Sequence, residues 1–150
     1  MSTEQINARD WIFEVSTDAG VTYLAIGGIK TFSNKPGDNQ ADTDTTTFAS
    51  AGEYESQAMQ RGATMDLSGQ FLLDVAAHTR DVGQAACEAL AALVGKASLG
   101  MFHFRHVSDT LWTVWTAWVS LSEQGGGNND KTGWGCTLNR SGAATTASVS

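Results

Sequence analysis

The chain has 150 residues, 41% hydrophobic and 17% charged, which suits one domain with its own core and excludes an extended disordered protein. Its formal net charge of −7 argues against a protein that grips nucleic acid, because that affinity comes mainly from cations neutralising phosphates. So few charged groups also suggest a surface partly buried against copies of the same chain.

Residues 10–16, DWIFEVS, place Trp11, Phe13 and Val15 on one face at period two and read as a strand. A turn at Asp18–Gly20 leads to a second strand over 21–26, forming a hairpin with the first. Gly27 and Gly28 mark a bulge or bend before a further short extended stretch, 29–32. From 33 to about 62 the periodicity fails. This long Asp/Thr-rich segment holds the only proline, Pro36, and the run DTDTTT, and it is expected to be a mobile loop unless an edge is offered for pairing.

Alternation is cleanest over 64–73. Met65, Leu67, Phe71 and Leu73 share an apolar face, while Thr64, Asp66, Ser68 and Gln70 share a polar one, the pattern of a half-wet strand. A helix is expected over about 82–94, with an apolar stripe of Val82, Ala85, Ala86, Ala89, Leu90, Leu93 and Val94. Asp81 or Thr79 would cap its start and Gly95 its end. Strands follow at 99–107 and 111–121, the latter setting Trp112 and Trp118 on one face and Leu111, Trp115, Val119 and Leu121 on the other. After a glycine-rich loop at 125–130, a last strand over about 131–140 precedes a small polar segment, 141–150, expected to be a flexible tail. The sum is an α+β domain: an antiparallel β-sandwich or barrel over 1–140 with one packed helix.

Candidate chemistry is sparse. His103 and His106 at spacing three would lie on opposite faces of a strand and could not share a metal. Asp38, Asp42 and Asp44 lack the glycine and the bidentate glutamate of a calcium loop. No nucleophile elbow, phosphate loop or dinucleotide fingerprint occurs, so no enzyme, metal or cofactor is expected. Cys87 and Cys136 read as buried free thiols. The opening MSTEQINARD has no apolar run for a signal peptide, and no 18-residue apolar stretch offers a membrane span. The tryptophans suit core or interface packing better than base stacking, which needs a basic groove.

The order of these features resembles the major tail tube proteins of long-tailed, siphovirus-type phages. The resemblance runs over about 8–140 and is carried by the N-terminal hairpin, the Asp/Thr-rich loop running into GEYESQAMQRGATMDLSGQFLL, the helix DVGQAACEALAALVGK and the aromatic hairpin ending in TAWVSLSEQGG. It implies subunits joined in hexameric rings that stack into a tube, a DNA conduit in the virion tail, assembled in the host cytoplasm. The implied partners are other copies of the chain, the tape measure, terminator and tail-tip proteins, and genomic DNA passing without specific binding. On that reading Asp42, Asp44, Thr46, Phe48, Glu53 and Tyr54 touch neighbouring subunits. Thr64, Asp66, Ser68 and Gln70 then face the lumen, where acidic groups would repel phosphates. A ring protein of a contractile tail or secretion tube fits the same pattern, and a monomeric carbohydrate- or receptor-binding domain using Trp112, Trp115 or Trp118 is the alternative from another class.

Overall fold

The computed structural model describes residues 3–149. A short 3-10 turn, Ala8–Asp10, leads into β1 (Trp11–Ser16), β2 (Leu24–Ala25) and β3 (Ile29–Lys35). β4 (Ala41–Asp44) and β5 (Ser56–Gln60) precede β6 (Thr64–Gln70), the two-residue strands β7 (Leu73–Asp74) and β8 (Thr79–Arg80), and α1 (Val82–Ala91). β9 (Gly100–His106), β10 (Leu111–Leu121), β11 (Gly133–Arg140) and β12 (Thr145–Ser148) complete the chain. The main sheet has the order β2-β1-β9-β10-β11-β6-β3, with β12 also on β10, and every pairing is antiparallel. Among the described residues the expected α+β class with a single α-helix is therefore observed.

The sheet curls until β1 and β3, near opposite ends of the strand order, meet across the core. Phe32 of β3 lies 4.9 Å from Phe13 and 5.6 Å from Trp11, ring centroid to centroid. Period-two burial puts Phe13, Val15, Met65, Leu67, Phe102, Phe104, Trp115, Ala117, Val119, Trp134, Cys136 and Leu138 inside, where removal of apolar surface from water drives folding. α1 closes the core with Ala86, Cys87 and Leu90. Gly83 lets it come close: a Cβ there would lie 2.1 Å from the Ala25 carbonyl oxygen.

Several expectations are corrected. The second strand is only Leu24–Ala25, although its pairing with β1 is as expected. The helix ends at Ala91 and its buried stripe is Gly83, Gln84, Ala86, Cys87 and Leu90, leaving Val82, Leu93 and Val94 exposed. Gln84 displaces the expected stripe because its amide is needed inside. It donates to the carbonyls of Gly27 (3.0 Å) and Gln70 (2.8 Å) and accepts from the Leu72 amide (3.1 Å). Asp81 caps the helix as expected, accepting from the Gln84 amide, and also holds the Gly27 amide. Gly95, at φ +69°, opens a separate 3-10 turn, Gly95–Ser98.

β6 stops at Gln70, so Phe71 still packs on the core but Leu73 falls in the exposed β7–β8 hairpin. Within the segment expected to be a flexible tail, Thr145–Ser148 pair with Leu111–Val114. β12 thus extends the line of β11 along the same edge of β10 after a break at 141–144, and an unpaired strand edge is what recruits it. Ser150 lies outside the described residues.

Candidate subunit interface and polar face

The segment expected to be an irregular loop over 33–62 is built instead as a protruding hairpin. β4 and β5 pair with each other and with no other strand, in the register Asp42↔Ala58, Thr43↔Gln57 and Asp44↔Ser56. The edge that the threonines needed comes from the same segment. Beyond the strands, the Thr45 amide donates to the Glu55 carbonyl, and the Thr46 hydroxyl both donates to that carbonyl and accepts from the Glu55 amide. A capping box between Thr47 and Ser50 fixes a 3-10 turn, Phe48–Ser50, and Ala51 and Gly52 reverse the chain at positive φ. The Asp44 carboxylate accepts from the Thr46 amide at 2.8 Å, and hydrogen bonds from Thr46 hold Asp44 below the usual carboxylate value.

All six residues expected at subunit contacts, Asp42, Asp44, Thr46, Phe48, Glu53 and Tyr54, belong to this one hairpin and are exposed. Phe48 sits near the tip with its side chain wholly uncovered, and Tyr54 and Met59 are two-thirds exposed. The base is anchored: Thr64 donates to Asp38 at 2.6 Å and Gln60 to the Asn39 carbonyl at 2.7 Å. A well-braced hairpin thus carries aromatic groups and a run of acids away from the core.

The four residues expected on the polar face share one side of β6 but not one environment. Thr64 is buried under the hairpin base, Asp66 and Gln70 are half-buried, and Ser68 is exposed. Pairing across β3 and β11 sets Ser33 and Thr137 beside Asp66, and Thr31 and Gly135 beside Ser68, so the face is lined mainly by hydroxyl groups and small residues. It is not an acidic face. Asp66 lies 2.8 Å from the Lys35 Nζ and accepts from Thr137 at 2.7 Å, and these bonds, Lys35 first, hold its carboxyl below the ordinary value. Sequence reading missed Lys35 because the pair forms only when β3 docks beside β6.

The tryptophans form no common platform. Trp115 is buried at 3% exposure, and Trp112 is stacked on His103, whose other side stacks on Tyr23. Arg105 covers Trp112 as well. Only Trp118 of the three is substantially exposed. His103 contacts Glu14 while His106 meets Trp11 on the core side, so the two histidines lie on opposite faces. Among the described residues, no three His, Cys, Asp or Glu side chains are grouped to hold a metal ion, and no helix is long and apolar enough to cross a membrane.

No protein-family model and no curated protein matches the chain. Among solved structures, its fold is similar to a chain in the tail of an empty gene transfer agent particle with C6 symmetry. The TM-score is 0.74 at 14% identity, with 96% of this chain and 100% of that chain covered. It is likewise similar to a chain in the virion of a native gene transfer agent particle, at TM-score 0.71 and 13% identity, with the same coverage. The chain therefore shares its fold with chains of these gene transfer agent particles. The expectation of a tail-type fold, drawn from the order of its segments, agrees with these matches over nearly the whole chain.

Proposed function

We propose that this protein is a structural, non-enzymatic subunit of a phage-type tail tube, in which copies join as six-membered rings that stack around a channel for DNA. The observation that carries the reading is the end-to-end fold match to a tail with C6 symmetry, in which neither chain has a large part left over. The polar side of β3, β6 and β11 lines the channel. Its hydroxyl groups and its neutralised Asp66 offer passing phosphates neither a cationic trap nor a net anionic wall. The β4–β5 hairpin reaches a neighbouring subunit, because it contributes nothing to its own core while displaying Phe48 and Tyr54. Further partners in the virion tail are the tape measure, terminator and tail-tip proteins, met during assembly in the host cytoplasm.

Negative-stain microscopy of the concentrated protein, beside a variant in which 41–60 is replaced by a short glycine linker, tests this. Tubes with a regular axial repeat are expected from the intact chain. The variant is expected to keep its circular dichroism and thermal transition yet form no tubes. A 15.9 kDa chain that stays monomeric at every concentration, or a linker variant that polymerises normally, refutes the proposal.

A further inference from the structure

Where the curled sheet fails to close, an open groove of about 400 Å³ runs between β3 and the start of β1, beyond the residues that β2 covers. Its floor is apolar, from Trp11, Phe13, Ile26, Ile29 and Phe32. Two cations, Arg9 and Lys30, line it with no acidic residue among the lining groups, and neither has a carboxylate within ion-pair distance among the described residues. Asp10, next to Arg9, is not part of the lining and is hydrogen-bonded by Asn7.

The β4–β5 hairpin is the complement of this groove. It holds Asp42, Asp44, Glu53 and Glu55 with no Lys or Arg over 41–60, and the Phe48 side chain is wholly exposed. A groove of similar size between Leu93, Val94, Trp118 and Leu121 has no cation among its lining residues, and one beside Leu72, Leu73 and Val82 sets its single cation, Arg80, among Asp74 and Asp81. We infer that the β1–β3 groove of one copy receives the hairpin tip of a second copy, with the Phe48 ring on the apolar floor and the hairpin carboxylates beside Arg9 and Lys30. Apolar burial holds the tip, and the charges orient it and exclude wrong registers. The site rests on the tube-subunit reading and names the surface that the hairpin meets.

Equal amounts of Phe48→Cys and Lys30→Cys full-length chains, assembled together and mildly oxidised, test the contact. Both native thiols are buried, so a disulfide-linked dimer formed by the mixture, and by neither variant oxidised alone, reports the new pair on a non-reducing gel. Phe48→Ala is expected to raise the concentration needed for assembly roughly ten- to a hundredfold, the loss of one buried aromatic side chain. Arg9→Glu/Lys30→Glu should abolish assembly while leaving the thermal transition intact, and adding Glu53→Lys/Glu55→Lys to the same chain should restore it. An unassembled wild-type chain overturns both this contact and the tube reading. If wild-type tubes form, three results overturn the contact alone: unaltered assembly by Phe48→Ala, no rescue by the paired reversal, or cross-linking of Phe48→Cys to Val94→Cys in place of Lys30→Cys.

Discussion

Replacing Gln84 with leucine removes a polar group from the interior without opening a large void. Gln84 is 0% exposed, and its amide joins three segments by bonding the carbonyls of Gly27 and Gln70 and the amide of Leu72. Leucine satisfies none of them. A buried backbone group left without a partner costs about 1–3 kcal/mol, with carbonyls near the lower end because a second lone pair can find another donor. Two carbonyls and one amide then sum to roughly 3–5 kcal/mol, a large part of the roughly 5–15 kcal/mol that holds a domain together. At about 2–4 °C per kcal/mol for a chain of this size, the thermal midpoint should fall by roughly 6–20 °C. Urea unfolding should show a lower midpoint at an unchanged slope. A Gln84→Leu protein within about 1 kcal/mol of wild type would refute the claim that this amide ties helix, bend and strand together.

Gly83→Ala should destabilise even though alanine favours helix by about 1 kcal/mol. Its methyl group would meet the Ala25 carbonyl oxygen at 2.1 Å and the Ile26 Cα at 2.5 Å, backbone atoms that cannot rotate away, and a higher thermal midpoint would count against this packing. Asp66 is held below its usual carboxyl value of 3.8 by Lys35 and Thr137, so its contribution is present above about that pH and lost as pH falls below it. Urea midpoints of wild type and Asp66→Asn should therefore converge in acid, with only a small gap at neutral pH because the pair is partly exposed; a gap that widens in acid would reverse the assignment. A hydrogen bond with Cys136, and then burial, push the Cys87 thiol up, so a thiol reagent should label neither cysteine until urea unfolds the chain; rapid labelling of the native protein would contradict the closed core.

What could be read from the sequence were the segments with one dry face and one wet face. β1 and β6 announce themselves because water on one side and core on the other force alternation, β10 by its density of Trp, Val and Thr, and Asp81 announces the start of α1 because a helix needs an acceptor there. The β4–β5 hairpin could not be found that way. Every residue of its strands is exposed, so hydrophobicity has no period to follow, and its order rests on hydrogen bonds among Asp44, Thr46, Thr47, Ser50 and Glu55. The helical stripe was misplaced by about one position because Gly83 and Gln84, an absent side chain and a polar one, carry the contact that apolar residues usually make. At the candidate site, the exposed hairpin residues and the polar side of β6 were visible, whereas the neutralisation of Asp66 and the groove under Arg9 and Lys30 exist only once strands remote in sequence are adjacent.

β1 pairs along its whole length with β9, so Glu14 meets His103 across 89 residues of chain. During synthesis at about 5–20 residues per second, Trp11, Phe13 and Val15 emerge roughly 4–18 s before the strand that covers them. The hairpin over 41–60 and the helix appear in that interval, but the central strands that organise them do not. The ribosome thus releases the sheet from its margins inward, and the nascent chain must keep an aromatic edge solvated until its last third arrives.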